Sequence, residues 1–85
     1  MDDGSPISSP RVVISSIVEG VLTAQGKVLP APDAPLREAG LSSLGLVNVM
    51  LAIEDAFELT FPQEAMTPAN FRTIEAIETL VVALL

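Results

Sequence analysis

Apolar residues recur along this chain at helical spacing, and proline-rich gaps separate the repeats. Ile14, Ile17, Val18 and Val21 fall at i, i+3, i+4 and i+7, with Ser15, Ser16 and Glu19 on the opposite side, which predicts a helix over residues 10 to 24. Ser9-Pro10 supplies its start, a capping hydroxyl followed by proline at the first helical position, and Gly26 supplies its stop. Gly20 lies inside this helix, where glycine costs about 1 kcal/mol against alanine, so the position is either closely packed or merely tolerated. Between Lys27 and Ser42, Pro30, Pro32 and Pro35 block regular helix and stiffen a long connection. Leu29, Leu36 and Leu41 are the expected pins of that connection to the core.

Residues 43 to 58, SLGLVNVMLAIEDAFE, read as the second helix. Val47, Met50, Ile53 and Phe57 form one apolar stripe, expected to face the core. Leu44 and Leu51, with Asn48 and Asp55, fall on another face. A domain this small cannot bury a helix all round, so that second face either packs under the long loop or meets solvent or a partner. Beyond Phe61-Pro62, Thr67-Pro68 repeats the cap-and-proline pair and predicts a short turn of helix to about Phe71. A last helix from about Thr73 carries Ile74, Ile77, Leu80, Val81 and Leu84, with Glu75 and Glu78 outside. The expected fold is all-α, with three main helices, one short helix and a long loop between the first two. It occupies residues 10 to 85 and follows a loose tail over residues 1 to 9, where Asp2, Asp3, Gly4, Ser5 and Pro6 offer nothing to pack.

Composition then narrows the chemistry. An 85-residue chain is one domain that buries only about 60 to 65 per cent of its unfolded surface. With three phenylalanines and no tryptophan or tyrosine, its core is aliphatic, which favours packed helices over a sandwich. The absence of cysteine removes disulfides, thiolate metal sites and thiol nucleophiles, in keeping with a reducing cytosol. The absence of histidine removes the Ser-His pair that activates a hydroxyl, so catalysis by this chain is not expected. Glu54, Asp55, Glu58 and Glu64 sit near helix ends and read as solvated face rather than a metal site. Eleven acids against four bases give a net charge of −7, which repels a nucleic-acid backbone and favours partners with basic surfaces. The acidic N-terminus lacks the basic region of a leader, and the apolar runs are too short to span a bilayer. The composition therefore predicts a cytoplasmic protein engaging neither nucleic acid nor membrane, expected as a monomer.

The stretch GLSSLG, residues 40 to 45, places Ser42 and Ser43 together at the start of the second helix. Either can serve as its N-cap. A helix start also carries partial positive charge, so a phosphate esterified to a serine there is stabilised by the dipole and the free amides. From Asp33 through GLSSL into IEDAFELTFP, and on to NFRTIEAIETLV, the chain resembles acyl and peptidyl carrier proteins over about Leu36 to Leu80. Members of that family open their second helix with Asp-Ser-Leu, and the serine receives phosphopantetheine from coenzyme A through a phosphopantetheinyl transferase. The resemblance implies a four-helix acyl-carrier-like bundle. By match of motif it makes Ser43, followed by Leu44, the attachment point, with Ser42 standing where most members have aspartate.

The Gly-Leu-Ser-Ser form and the later text are similar to one group in particular, stand-alone carriers charged with amino acids by seryl-tRNA-synthetase-like amino acid:carrier protein ligases. The implied function is to hold an aminoacyl group as a thioester on a covalent phosphopantetheine arm and to deliver it to a downstream acceptor enzyme. Family members are recognised along the second helix, which makes Ser42, Leu44, Asn48, Leu51, Glu54 and Asp55 candidate partner contacts. Two other functions fit the same residues. One is an acyl carrier of fatty-acid, polyketide or nonribosomal-peptide type, and the other an unmodified carrier-fold module that binds partner helices through Leu44 and Leu51.

Overall fold

A computed structural model describes residues 9–85 as three α-helices joined by irregular segments. Most of the expected tail, residues 1–8, lies outside the described residues. Helix α1 spans Pro10–Ala24, α2 spans Ser43–Phe57 and α3 spans Ile74–Leu84. The expected short helix is a 3₁₀ turn, Pro68–Phe71, and a second 3₁₀ turn, Gln63–Ala65, precedes it. No helix among the described residues is long and apolar enough to cross a membrane.

Local signals set the helix ends. Pro10 occupies the first turn of α1, where its missing N–H leaves no bond unmade, although the Ser9 side chain makes no capping bond. Thr73 Oγ1 accepts the Ala76 N–H at 2.9 Å and starts α3, and Thr67 Oγ1 accepts the Asn70 N–H at 3.4 Å before the 3₁₀ turn. Gly26, at φ 75°, ends α1 in a left-handed conformation while the Lys27 N–H returns to the Leu22 carbonyl at 2.8 Å. Helix α2 ends the same way on Glu58, at φ 54°, without the help of a glycine.

The core collects Ile14, Val18 and Leu22 from α1, Val49 and Ile53 from α2, and Ile74, Ile77 and Val81 from α3. Each such side chain contributes about 1.5 to 3 kcal/mol on burial. Phe61 and Phe71 meet edge to face at 5.2 Å and extend this core between α2 and α3. Leu36 and Leu41 are buried and Leu29 half-buried, so the long loop is pinned as expected. Main-chain bonds reinforce the pins. The Leu36 N–H donates to the Arg72 carbonyl at 2.9 Å, and the Glu75 N–H donates to the Pro32 carbonyl at 3.0 Å. At the other edge Arg11 Nε donates to Glu78 Oε1 at 2.8 Å and joins the first turn of α1 to α3.

The stripe expected of α2 is wrong at one position. Val47 is exposed, and Val49, with Ile53 one turn on, is the residue fully buried against α1. Two residues are about 200° around a helix, so a contact centred on Val49 turns Val47 outward. Met50 and Phe57 flank the buried line and are half-buried. Leu44 and Leu51 do not pack under the long loop, being 71% and 58% exposed. Gly20 is a tolerated glycine rather than a close contact, because a Cβ there would meet nothing within 4 Å.

Candidate functional site

The two serines at the start of α2 have different roles. Ser42 adopts extended backbone and is the N-cap: its Oγ accepts the Gly45 N–H at 3.0 Å and its carbonyl accepts the Leu46 N–H at 2.8 Å. Ser43 is the first helical residue, and its side chain is exposed, with no hydrogen bond among the described residues. The amides of Ser43 and Leu44 have no intrahelical acceptor, and no acid sits in the first turn. An exposed hydroxyl in this position is open to esterification, and the uncompensated helix start favours the anion that a phosphate ester would bring.

Gly45 makes this arrangement compact. A Cβ there would stand 3.0 Å from Leu41 Cδ1, 3.2 Å from Ser42 Oγ and 3.3 Å from Gln25 Nε2. The glycine thus lets the end of the long loop and the end of α1 close on the first turn of α2. The sequence does not separate it from Gly20, since both are glycines inside a helix and only the packing around them differs.

Beside Ser43 lies an open groove of about 910 Å³ between the turn at residues 35–43, the first turns of α2 and the 3₁₀ segment. Leu46 and Met50 line it from α2, and Met66 and Phe71 from the 3₁₀ segment, with Arg37 and Arg72 among its exposed residues. None of these six was singled out as a site residue in the sequence, because the groove is formed by segments distant along the chain.

Leu44, Asn48, Leu51 and Asp55 are all exposed and share one face of α2 with Val47, within about 100° of arc. Ser42 is exposed at the start of the same helix. Glu54 is set apart from them. It is half-buried, and its Oε2 accepts the Phe61 N–H at 2.7 Å, which ties α2 to the segment after it.

A sequence profile of the family described as phosphopantetheine attachment site matches residues 12–81. The chain is 38% identical over 69 residues to aminoacyl carrier protein 1 of Bradyrhizobium diazoefficiens, covering 80% of this chain and 77% of that protein. It is 45% identical over 51 residues to the aminoacyl carrier protein of Agrobacterium fabrum, covering 60% of this chain and 61% of that one. Its fold is similar to a chain in the crystal structure of Bradyrhizobium japonicum glycine:[carrier protein] ligase complexed with cognate carrier protein and an analogue of glycyl adenylate. The TM-score is 0.77 at 32% identity, covering 87% of this chain and 96% of that chain. A structure of the same ligase complexed with glycylated carrier protein gives a TM-score of 0.74, again at 32% identity, over 84% of this chain and 96% of that chain. With 70 of its 85 residues inside the family profile (12 through 81), the chain belongs to the phosphopantetheine-attachment family of carrier proteins.

Proposed function

We propose that this chain is an aminoacyl carrier, modified on Ser43 with phosphopantetheine by a transferase and charged by a seryl-tRNA-synthetase-like amino acid:carrier protein ligase. The observation that carries this reading is the division of labour between the two serines. Ser42 takes the cap, which leaves the Ser43 hydroxyl exposed at the start of α2. The likeness to aminoacyl carrier proteins, and to structures of a glycine:[carrier protein] ligase with its carrier, supports an amino acid as cargo. The arm supplies the thiol on which the aminoacyl group rides as a thioester. The chain itself catalyses nothing, and it works in the cytoplasm with the transferase, the ligase and a downstream acceptor enzyme as partners.

The residues of the domain position, stabilise and present. In the transfer from coenzyme A, Ser43 Oγ would give up its proton and bond to the phosphorus that bears pantetheine, while the pyrophosphate bond breaks and adenosine 3′,5′-bisphosphate leaves. The helix start stabilises the resulting negative charge by about 0.3 to 1 kcal/mol. Ser42 keeps the first turn of α2 closed without adding a second negative charge there, as an aspartate would. Leu44, Val47 and Leu51 offer apolar surface next to the attachment point, and Asn48 and Asp55 border it. A tethered thioester is held at high effective concentration near any enzyme that docks on this face.

The test is intact mass after incubation with coenzyme A and a phosphopantetheinyl transferase, then with ATP, amino acids and ligase. Wild type should gain the arm and then an aminoacyl group, and Ser43→Ala should gain neither. An alanine variant that still gained the arm would overturn the assignment to Ser43. Charging with fatty acyl groups but no amino acid would make the chain an acyl carrier instead.

A further inference from the structure

Acids outnumber bases in this chain eleven to four, yet the bases are not spread among them. Arg11 is held by Glu78, with an Nη atom 2.7 Å from Oε1. The other three lie on segments that meet at the Ser43 end of the molecule. The Lys27 stem lies against Gly40, where a Cβ would stand 3.0 Å from its Cδ and Cε. Arg37 belongs to the turn that leads into Ser42, and Arg72 is bonded to that same turn through its carbonyl and the Leu36 N–H. Most acids of the described residues lie elsewhere: Glu54, Asp55 and Glu58 at the far end of α2, Glu64 after it, and Glu75 and Glu78 on α3.

Arg37 and Arg72 both line the groove that Ser43 lines, and both are exposed. Neither has an ion-pair partner among the described residues, and Glu38 is the one acid lining the groove with them. Resting on the reading that Ser43 carries the arm, we propose that Arg37 and Arg72 form a cationic rim that holds the Ser43 phosphodiester against this groove. A phosphodiester keeps two oxygens outside its ester bonds, and a guanidinium presents planar paired donors to such oxygens. The main-chain bond from Leu36 to Arg72 keeps the two arginine-bearing segments side by side, so little backbone has to be ordered for both to bind. A phosphodiester held at this rim would lie beside Met50 and Met66, which line the same groove.

The experiment compares apo and phosphopantetheinylated full-length protein, with arm attachment verified by intact mass, for wild type, Arg37→Gln/Arg72→Gln and Arg37→Lys/Arg72→Lys. In wild type the arm should shift the arginine Nε–Hε signals of Arg37 and Arg72 but not those of Arg11. It should also lower the unfolding equilibrium constant by about two- to fivefold at low salt, the gain typical of an exposed ion pair. Both effects should fade at high salt. The glutamine variant should lose the gain and the lysine variant keep part of it. Unshifted arginine signals, or the same gain in the glutamine variant, would overturn the rim. Failure of wild type to gain an arm, or its attachment to a residue other than Ser43, would instead overturn the function on which it rests.

Discussion

The Glu54 carboxylate accepts the backbone N–H of Phe61, seven residues ahead, at 2.7 Å. An acid on α2 thereby secures the chain just where Phe61 enters the core against Phe71. A hydrogen bond to a charged group contributes about 1.5 to 3 kcal/mol when buried and less at a half-buried site. Glu54→Ala should therefore lower stability by about 1 to 2 kcal/mol in urea titration, and Glu54→Gln, which keeps an acceptor, by less. An alanine variant as stable as wild type would show that the Phe61 segment is held by packing alone.

Substitutions at the two serines should separate cleanly. Ser42→Ala removes the cap bond to Gly45 and should cost about 1 kcal/mol. Ser42→Asp should retain the cap. Ser43→Ala removes an exposed hydroxyl without a partner among the described residues and should stay within about 0.5 kcal/mol of wild type. In a domain of this size 1 kcal/mol moves Tm by about 4 to 8 °C, so a thermal melt resolves the difference.

The same chemical change should have opposite signs at two helical glycines. Gly20→Ala places a methyl in open space and should stabilise α1 by about 0.5 to 1 kcal/mol. Gly45→Ala forces Leu41, Ser42 Oγ and Gln25 apart and should destabilise by about 1 to 3 kcal/mol. Paired denaturant midpoints decide both, and a stabilising Gly45→Ala would mean that Leu41 and Gln25 yield freely.

Truncating the apolar face of α2 should affect transfer without affecting folding. Leu44→Ser and Leu51→Ser are surface changes expected to stay within about 0.5 kcal/mol of wild type in stability. If partners dock on this face, loss of a central apolar contact costs about 2 kcal/mol or more of binding, so kcat/KM for aminoacyl transfer by the ligase should fall at least tenfold. Unchanged transfer by both variants would move the docking surface elsewhere.

The sequence made the helices legible because most of their ends carry chemical markers. Pro10, Gly26, Thr67 and Thr73 each mark a boundary at which the structure starts or stops a helix or turn. The inward face of α2 was not legible in full. Leucine, valine, methionine and isoleucine lie on almost every side of that helix, so periodicity admits more than one stripe, and only contact with α1 selects Val49 over Val47. For the same reason the sequence left Leu44 and Leu51 undecided between loop and solvent. The bond from Phe61 to Glu54 and the pair of Arg11 with Glu78 join residues that no local pattern relates, and so Glu54 read as surface acid. At GLSSLG the residue types restricted the cap to two serines, and the backbone geometry chose between them.

The two bonds that fasten the long loop to the entrance of α3 run from main chain to main chain, from Leu36 to Arg72 and from Glu75 to Pro32. A bond of that kind is indifferent to what its residues display. Arg37, Glu38 and Arg72 can therefore be exchanged with little harm to the frame, and with them the charges displayed around Ser43. The architecture keeps its fastening and its signage on separate atoms, so one frame can be relettered to address a different set of enzymes.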